Sequence, residues 1–313
     1  MLEAHDLRKN YGARRAVAGV SLHCEPGAVV GVLGPNGAGK TTTIRMLAGF
    51  LKPTAGTVRV KGIDVVAEPA RAQRQIGYLP ENTPLYDDLT VTEFITFMGA
   101  LRLGRTPTLV RRVAEVIEAC ALERVRHQGV QTLSKGYRQR TCLAQALIHD
   151  PGVLLLDEPT EGLDPNQKHV VRGMIREMAA NKVVLISTHV LEEVDAMCGR
   201  VLIINEGRIV ADETPAALRA RGSRHNVVVL DVRAPVEAVR TALAALPGVA
   251  RVEGVAPAEG PSRLTLFPEP GAQPTPAALE AIRKQGWVLE SVRQEEGDLN
   301  EVFRRLTTSE EAA

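Results

Sequence analysis

Short apolar runs separated by stretches of mixed polarity dominate the first two thirds of the chain. Residues 29–33, 153–156 and 183–186 are apolar without polar alternation, which is typical of strands buried on both faces of a parallel sheet. Residues 2–8 and 57–61 alternate apolar and polar positions, which predicts further strands. Because helical spacing occurs between these segments, the pattern predicts an α/β fold.

The middle of the chain has a helical pattern. Between residues 81 and 133 the apolar positions recur at helical spacing, as at Val110, Val113, Ala114 and Ile117. We interpret residues 82–150 as a helical insertion, in which Ser134 is the N-cap of the last helix. Residues 166–180 predict another helix, with an apolar side made of Val170, Met174, Ile175 and Met178.

The last third of the chain follows a basic segment at residues 219–224, which we interpret as a solvated linker. Beyond it the pattern gives strand, helix, strand, strand, helix, strand and a closing helix over residues 299–306. This order predicts a small ferredoxin-like α+β domain. We therefore divide the chain into residues 1–220 and residues 221–313, and leave open whether the second domain serves dimerisation or regulation.

The composition, with 44% apolar and 24% charged residues, is that of an ordinary globular protein. A formal net charge of +1 and an aromatic content of 3% argue against a nucleic-acid partner. The four cysteines are scattered without a C-x-x-C pair, so we expect reduced thiols in a cytosolic compartment and no metal bound by them. Residues 1–6 lack the pattern of a signal peptide, and no apolar run is long enough to span a membrane. Any work at a membrane would therefore need a partner that crosses it.

Residues 34–42 match the phosphate-loop pattern G-x-x-x-x-G-K-[ST]. They lie between the apolar run at residues 29–33 and a segment without helix breakers, which gives the order strand, loop, helix. In that order, backbone N–H groups and the positive end of the helix dipole converge on an anion. Lys40 would supply a point charge for the β- and γ-phosphates, and the Thr41 hydroxyl would hold Mg²⁺. The alternative is a glycine-rich turn that matches by chance.

Acidic and histidine side chains end the predicted buried strands. Asp157 and Glu158 follow the run at residues 153–156, where carboxylates are costly unless they meet a cation. We expect Asp157 to bind Mg²⁺ and Glu158 to act on a water, although acids are also common at helix N-termini. His189 ends the next strand, at the edge where α/β folds bind ligands, but a lone histidine is usually a structural hydrogen-bonding residue.

Tyr11 lies in a turn between two predicted strands. It is either a surface tyrosine packed on its own hairpin or a flat ring stacked on a purine base. The spacing alone does not decide between these interpretations.

In combination and in order, these motifs resemble the ATP-binding subunit of an ABC transporter over residues 1–220. The matching segments are Walker A at 34–42, the signature at 133–139, Walker B at 154–158, the D-loop around Asp164 and the switch histidine His189. The resemblance implies a P-loop fold with a mixed core sheet, an antiparallel β part and a helical insertion, and it implies ATP and Mg²⁺ as ligands. It also implies that Tyr11 stacks on adenine, that Val17 packs beside it, and that the phosphates are bound by Asn36, Gly37, Ala38, Gly39, Lys40, Thr41 and Thr42.

Two segments depart from the usual family pattern. Glu81 stands where the family usually has glutamine, and its carboxylate would still contact Mg²⁺ or water. Lys135 and Tyr137 replace the usual first glycine and glutamine of the signature, whereas Ser134 and Gly136 are kept. With the small C-terminal domain, these departures resemble a bacterial subgroup of export-type and gliding-motility-type ATPases.

The resemblance implies a transport ATPase that works as a head-to-tail pair, with a second copy or a homologous ATPase subunit as the partner. The segment from Ser134 to Gly136 of one subunit would close over the nucleotide held by Lys40 of the other, and Asp164 in the D-loop is a further expected nucleotide-binding residue. Glu158 would polarise the attacking water, and His189 would sense the γ-phosphate. The insertion near Glu81 would pass the motion to a separate integral membrane permease, with the ATPase on the inner face of the cell membrane. The alternatives are a soluble ABC-type ATPase in a non-transport process and a regulatory binding module.

Overall fold

A computed structural model describes residues 1–82, 85–257 and 260–308 of the chain. The chain divides into two units, Met1–Pro215 with the end of the chain from Leu306, and Ala216–Arg305. Each unit has its own sheets and buried core, so the two are described separately. The first unit ends at Pro215, five residues before the boundary that the composition predicts between residues 220 and 221. The predicted domain boundary stays a prediction.

The strands of the first unit are β1 (Leu2–Tyr11), β2 (Arg14–Cys24), β3 (Val29–Leu33), β4 (Ala55–Val60), β5 (Ile63–Asp64), β6 (Ile76–Leu79), β7 (Val153–Asp157), β8 (Val183–Thr188), β9 (Arg200–Asn205) and β10 (Arg208–Glu213). Its helices are α1 (Lys40–Leu47), α2 (Pro69–Gln73), α3 (Val91–Leu103), α4 (Pro107–Ala119), α5 (Lys135–Leu147), α6 (Pro165–Ala179) and α7 (Leu191–Met197). Short 3₁₀ turns at Glu123–Val125 and Val130–Thr132 lie between α4 and α5. The three runs predicted to be buried strands are β3, β7 and β8, and every residue of these strands is buried.

Two sheets and one helix build the core of the first unit. Six strands form a mixed sheet in the order β10-β9-β3-β8-β7-β6, in which only the pair β9 and β10 is antiparallel. β2, β1, β4 and β5 form an antiparallel sheet. Side chains from both sheets share one buried core with Ile44 and Leu47 of α1, so hydrophobic burial fixes α1 at the end of β3. The predicted α/β P-loop fold is confirmed.

The helices α3, α4 and α5 lie in the segment predicted as a helical insertion. Thr90 and Glu93 form a capping box at the start of α3. Ser134 caps α5 and accepts a hydrogen bond from the Tyr137 N–H at 3.5 Å. The predicted N-cap is therefore confirmed.

The buried face of α6 differs by one position from the predicted face. Val171, Met174 and Ile175 are buried, whereas Val170 is 38% exposed. The expectation that Val170 faces the core was wrong. Because a helix turns by about 100° per residue, Val170 lies one turn from Met174 but only at the edge of the face that is centred on Val171, Met174 and Ile175.

The elements after β10 are α8 (Pro215–Ala220), β11 (Val228–Arg233), α9 (Val236–Ala244), β12 (Val249–Val255), β13 (Ser262–Pro268), α10 (Thr275–Lys284), β14 (Val288–Gln294) and α11 (Leu299–Thr307). The strands form an antiparallel sheet in the order β12-β13-β11-β14, the ferredoxin-like arrangement predicted from the sequence. One core joins the sheet to α9 and α10 and includes Leu230, Leu243 and Ile282. The segment interpreted as a solvated linker overlaps the end of α8 at residues 219–220 and continues as largely exposed turns, and Arg224 in it pairs with Glu295.

Candidate functional site

A cavity of about 520 Å³ opens at the carboxyl ends of β3, β7 and β8. Residues predicted from the sequence form most of its wall, namely Tyr11, Asn36, Gly37, Gly39, Lys40, Thr41, Thr42, Glu81, Glu158 and His189. They meet there because β8 pairs in parallel with both β3 and β7, so that the segments after these strands lie at one edge of the sheet.

The loop between β3 and α1 contains two glycines whose backbone conformation other residues rarely adopt. Gly37 and Gly39 have φ angles of 84° and 106°, in the left-handed region. An added Cβ at Gly39 would lie 2.6 Å from the Ala16 carbonyl oxygen, so a larger residue would push the loop away from β2. The loop therefore holds its backbone close to the start of α1, where helix N–H groups lack partners.

Lys40 is the first residue of α1, and its ammonium group points into the loop that precedes it. It is 6% exposed and donates hydrogen bonds to the Gly34 carbonyl at 2.7 Å and to the Pro35 carbonyl at 3.2 Å. Glu158 Oε1 lies 3.9 Å from Lys40 Nζ. Burial lowers the pKa of Lys40, and nearby carboxylates, Glu158 first among them, oppose that shift.

Asp157 ends β7 as a completely buried carboxylate. Its Oδ1 accepts hydrogen bonds from the Thr41 hydroxyl at 3.3 Å and from the Ser187 hydroxyl. Within the described residues its Oδ2 has no hydrogen-bond partner. Burial raises the pKa of Asp157, because the charged form loses water and gains only part of the missing solvation from these hydroxyls.

Glu158 follows with a φ angle of 49°, an uncommon value for a residue other than glycine. Its backbone N–H lies 3.2 Å from the Ser187 carbonyl and 3.1 Å from the Ser187 hydroxyl, and these contacts hold the strained position. Its Oε1 lies 3.1 Å from His189 Nδ1. Burial raises the pKa of Glu158, and the hydrogen bond from His189 opposes the shift. The predicted acid and the predicted histidine are therefore in direct contact.

Tyr11 lies at the rim of the cavity and is 51% exposed. The Lys9 ammonium lies 5.4 Å from the centre of its ring. The ring is not packed into the core, so it is accessible to a ligand. Both interpretations of Tyr11 remain compatible with this position.

Val17 and Ala38, which were predicted to bind nucleotide, lie behind the phosphate loop and not in the cavity wall. Val17 is fully buried behind Gly39, where an added Cβ would lie 3.4 Å from Val17 Cγ2. Ala38 is also buried, and its N–H donates to the Pro35 carbonyl at 3.2 Å. Both residues support the loop from behind, and their contact with a nucleotide stays a prediction.

Ser134, Gly136 and Asp164 also lie outside this cavity, around the starts of α5 and α6. Asp164 caps α6 by accepting a hydrogen bond from the Gln167 N–H at 3.0 Å. Gly136 packs so closely on Gln167 that an added Cβ would lie 2.5 Å from Gln167 Oε1. The fold therefore brings these three residues together and keeps them out of the cavity that contains Lys40.

Arg14, Ala16 and Glu161 line the cavity, and sequence reasoning missed them. Arg14 begins β2, and its Nη2 would lie 3.9 Å from an added Cβ at Gly37. Glu161 lies in the turn after β7, where its N–H donates to the Glu158 carbonyl at 3.2 Å. The available signals were an arginine close to the turn at Tyr11 and an acid three positions after Glu158.

Comparison with known proteins gives the class of this site. The sequence profile of the family described as ABC transporter matches residues 17–161. Nod factor export ATP-binding protein I of Paraburkholderia xenovorans (strain LB400) is 40% identical over 221 residues, 70% of this chain and 72% of that protein. The protein of the same name in Ralstonia nicotianae (strain ATCC BAA-1114 / GMI1000) is 35% identical over 313 residues, 99% of this chain and 94% of that protein. A solved structure described as the ATP binding subunit of an ABC transporter is 31% identical with a TM-score of 0.63 and covers 70% of this chain and 92% of that chain.

The chain therefore belongs to the ATP-binding subunits of ABC transporters. It binds ATP, and hydrolysis of ATP is its enzymatic activity. Subunits of this family dimerise and work with membrane permease components. The resemblance found in the motifs is confirmed at the level of the family.

Neutralising Asp157 should stabilise the protein in the absence of nucleotide. Because burial raises the pKa of Asp157, the folded protein binds this proton more tightly than the unfolded chain does. The contribution of Asp157 to the free energy of unfolding therefore falls as the pH rises from the unfolded pKa through the folded pKa. We expect Asp157→Asn to have a larger free energy of unfolding at neutral pH, and the difference to shrink in acid. Denaturant titrations of nucleotide-free protein at several pH values measure this.

Asp150→Asn is the matched control, because a hydrogen bond from Lys182 lowers the pKa of Asp150. A lowered pKa contributes stability above the unfolded pKa and loses it as the pH falls, so this variant should gain no stability at neutral pH. If both variants were destabilised equally, burial of the Asp157 charge would not be the cost we describe.

Proposed function

We propose that this chain is the ATP-hydrolysing subunit of an exporter, which works as a head-to-tail dimer and drives a separate membrane permease. The observation that carries the proposal is the cluster of Lys40, Asp157, Glu158 and His189 around the phosphate loop. Phosphoryl transfer needs mainly positioned charges and a positioned water, and these side chains can supply both.

Lys40 is buried, and its ammonium group is held by carbonyl oxygens of its own loop. The carbonyls of Gly34 and Pro35 occupy the hydrogen-bonding positions that β- and γ-phosphate oxygens would take. A phosphate carries full negative charge, so its hydrogen bonds to the ammonium would be stronger than those of neutral carbonyls. Backbone N–H groups from residues 36–42 would bind the remaining phosphate oxygens, and the ring of Tyr11 would stack on the adenine.

The residues present fit a Mg²⁺ ion. Thr41 Oγ1 and Asp157 lie in hydrogen-bond contact, and the unpartnered Asp157 Oδ2 is a buried carboxylate oxygen that a hard cation would satisfy. Thr41 and Asp157 would hold the ion, and Glu81 in the cavity wall adds a further carboxylate. When bound, the ion neutralises charge on the phosphate oxygens.

Glu158 has the position and the environment of a general base. Its raised pKa makes its carboxylate a better proton acceptor than an exposed glutamate, and its contact with His189 Nδ1 fixes its orientation. The proton of the attacking water would pass to Glu158, and the imidazole of His189 would contact the γ-phosphate.

The placement of Ser134, Gly136 and Asp164 supports a pair of subunits. Each chain has one phosphate loop, and these three residues lie outside the cavity of their own chain. A second copy in head-to-tail orientation would place them over the nucleotide bound by Lys40. The γ-phosphate would then favour the closed pair, and its removal would release it.

Several observations support a permease partner. Tyr86, Phe97 and Leu101 are 56%, 45% and 69% exposed and form an apolar surface in and before α3. In the parts of the chain that the structure describes, no helix has the length and apolar character that crossing a bilayer requires. The relatives named above carry export in their names, so we propose export and a position on the inner face of the cell membrane.

Glu158→Gln should retain ATP binding but hydrolyse ATP more slowly by about 10²- to 10⁴-fold, because the amide cannot accept the proton. The variant should also accumulate as an ATP-bound dimer, visible by size-exclusion chromatography with light scattering. Glu118→Gln, on the exposed side of α4, is the control and should hydrolyse ATP normally. Near-normal turnover by Glu158→Gln would remove this residue from its proposed role.

Lys40→Ala should weaken the binding of a fluorescent ATP analogue by at least about tenfold, or about 1.4 kcal/mol, because the phosphates lose a charged donor. Lys52→Ala removes an exposed lysine from the same unit and should bind the analogue like the wild type. An unchanged affinity of Lys40→Ala would contradict the assignment of the phosphate loop.

A further inference from the structure

Glu193 is a buried carboxylate on α7 that lies outside the predicted motifs. It is 2% exposed. One of its oxygens accepts a hydrogen bond from the Thr160 hydroxyl, and the other accepts one from the Thr188 hydroxyl at 2.8 Å. Lys168 Nζ and Arg172 Nη2, both on α6, lie 3.7 Å and 3.9 Å from its Oε1. Its charge is therefore compensated inside the protein.

The two threonines belong to the segments that carry the groups proposed for hydrolysis. Thr188 directly precedes His189, and Thr160 follows Glu158 by two positions. The Thr188 hydroxyl also accepts a hydrogen bond from the Val190 N–H at 3.0 Å, so the chain is held on both sides of His189. One carboxylate thus ties together the two segments whose side chains meet at 3.1 Å in the cavity.

The same carboxylate reaches the segment that contains the D-loop. Thr160 and Lys168 lie on either side of Asp164 along the chain, and both contact Glu193. Because a carboxylate accepts several hydrogen bonds at once, Glu193 can hold all three segments without touching the nucleotide. It is also absent from the cavity wall.

We propose that Glu193 is a positioning residue for ATP hydrolysis, which holds Glu158 and His189 in register through Thr160 and Thr188. This rests on the roles proposed above for Glu158 and His189. A displacement of about 1 Å at a reacting group can lower the rate by about 10²-fold. The contacts of Glu193 described above include none with the phosphate loop. Removal of the carboxylate should therefore slow turnover and leave nucleotide binding intact.

The test is steady-state and single-turnover ATP hydrolysis by the full chain, together with the affinity for a fluorescent ATP analogue. Glu193→Ala should lower kcat by about 10- to 100-fold, with KM and the analogue affinity within about twofold of the wild type. Glu193→Gln keeps one acceptor oxygen and should be intermediate. Glu192→Ala, the exposed neighbour on α7, is the matched control and should be unchanged.

Two further measurements separate positioning from general stabilisation. Thr160→Val and Thr188→Val remove single hydroxyls with little change of shape, and each should lower kcat several-fold, which keeps the proposal testable if Glu193→Ala does not fold. In single-turnover experiments, Glu193→Ala should add less than about twofold to the defect of Glu158→Gln, because the base that it positions is already gone.

A kcat of Glu193→Ala within twofold of the wild type would overturn the proposal. The proposal would also be overturned if Glu193→Ala slowed hydrolysis in the Glu158→Gln background as much as it does in the wild type. Normal turnover in both Thr160→Val and Thr188→Val would overturn it as well. Normal hydrolysis by Glu158→Gln and His189→Ala would instead show that the proposed catalytic roles are wrong. A slow Glu158→Gln beside a normal Glu193→Ala would overturn this inference alone.

Discussion

Compensation of buried charge at the carboxyl ends of three parallel strands is the constraint on which the site depends. Lys40, Asp157 and Glu158 are all buried, and each has only a partial substitute for water: loop carbonyls, two hydroxyls and an imidazole. Burial lowers the pKa of the lysine and raises the pKa values of the acids, so it disfavours the charged form of all three side chains. In the proposed complex, phosphate oxygens would compensate the ammonium of Lys40, the cation would compensate the carboxylate of Asp157, and the attacking water would bind to the carboxylate of Glu158. We therefore propose that the arrangement that costs stability in the protein alone contributes affinity for ATP.

The sheet register makes this convergence possible. Leu33 pairs with Thr188, and Asp157 pairs with Ser187, so the phosphate loop, the acids and His189 leave the sheet at one level. The core shared by α1 and both sheets fixes the helix that presents Lys40. Ser187 then bonds to Asp157 through its hydroxyl and to Glu158 through its hydroxyl and carbonyl. Ordinary hydrophobic burial thus positions a polar site that could not assemble alone.

The sequence predicted those parts whose residue types reflect a local constraint. The phosphate loop, the acids after β7 and the ferredoxin-like order could all be predicted, because turn chemistry and apolar periodicity act over a few residues. Arg14 and Glu161 were missed although they lie near Tyr11 and Glu158 in the sequence, because proximity along the chain does not show which side chains face the cavity. Glu193 could not be predicted, since its position depends on contacts between distant segments. Val170 was misplaced because adjacent valines give an ambiguous helical face until tertiary packing selects one of them.

The most direct test of the central claim is a structure of the full chain with a non-hydrolysable ATP analogue and Mg²⁺. We expect Lys40 Nζ to leave the carbonyls of Gly34 and Pro35 for the phosphate oxygens, and Asp157 Oδ2 to gain a partner. Ser134 of a second copy should face the same γ-phosphate. If Lys40 kept its contacts with the loop carbonyls while the analogue was bound, or if Ser134 faced no nucleotide in a twofold pair, the account would be wrong.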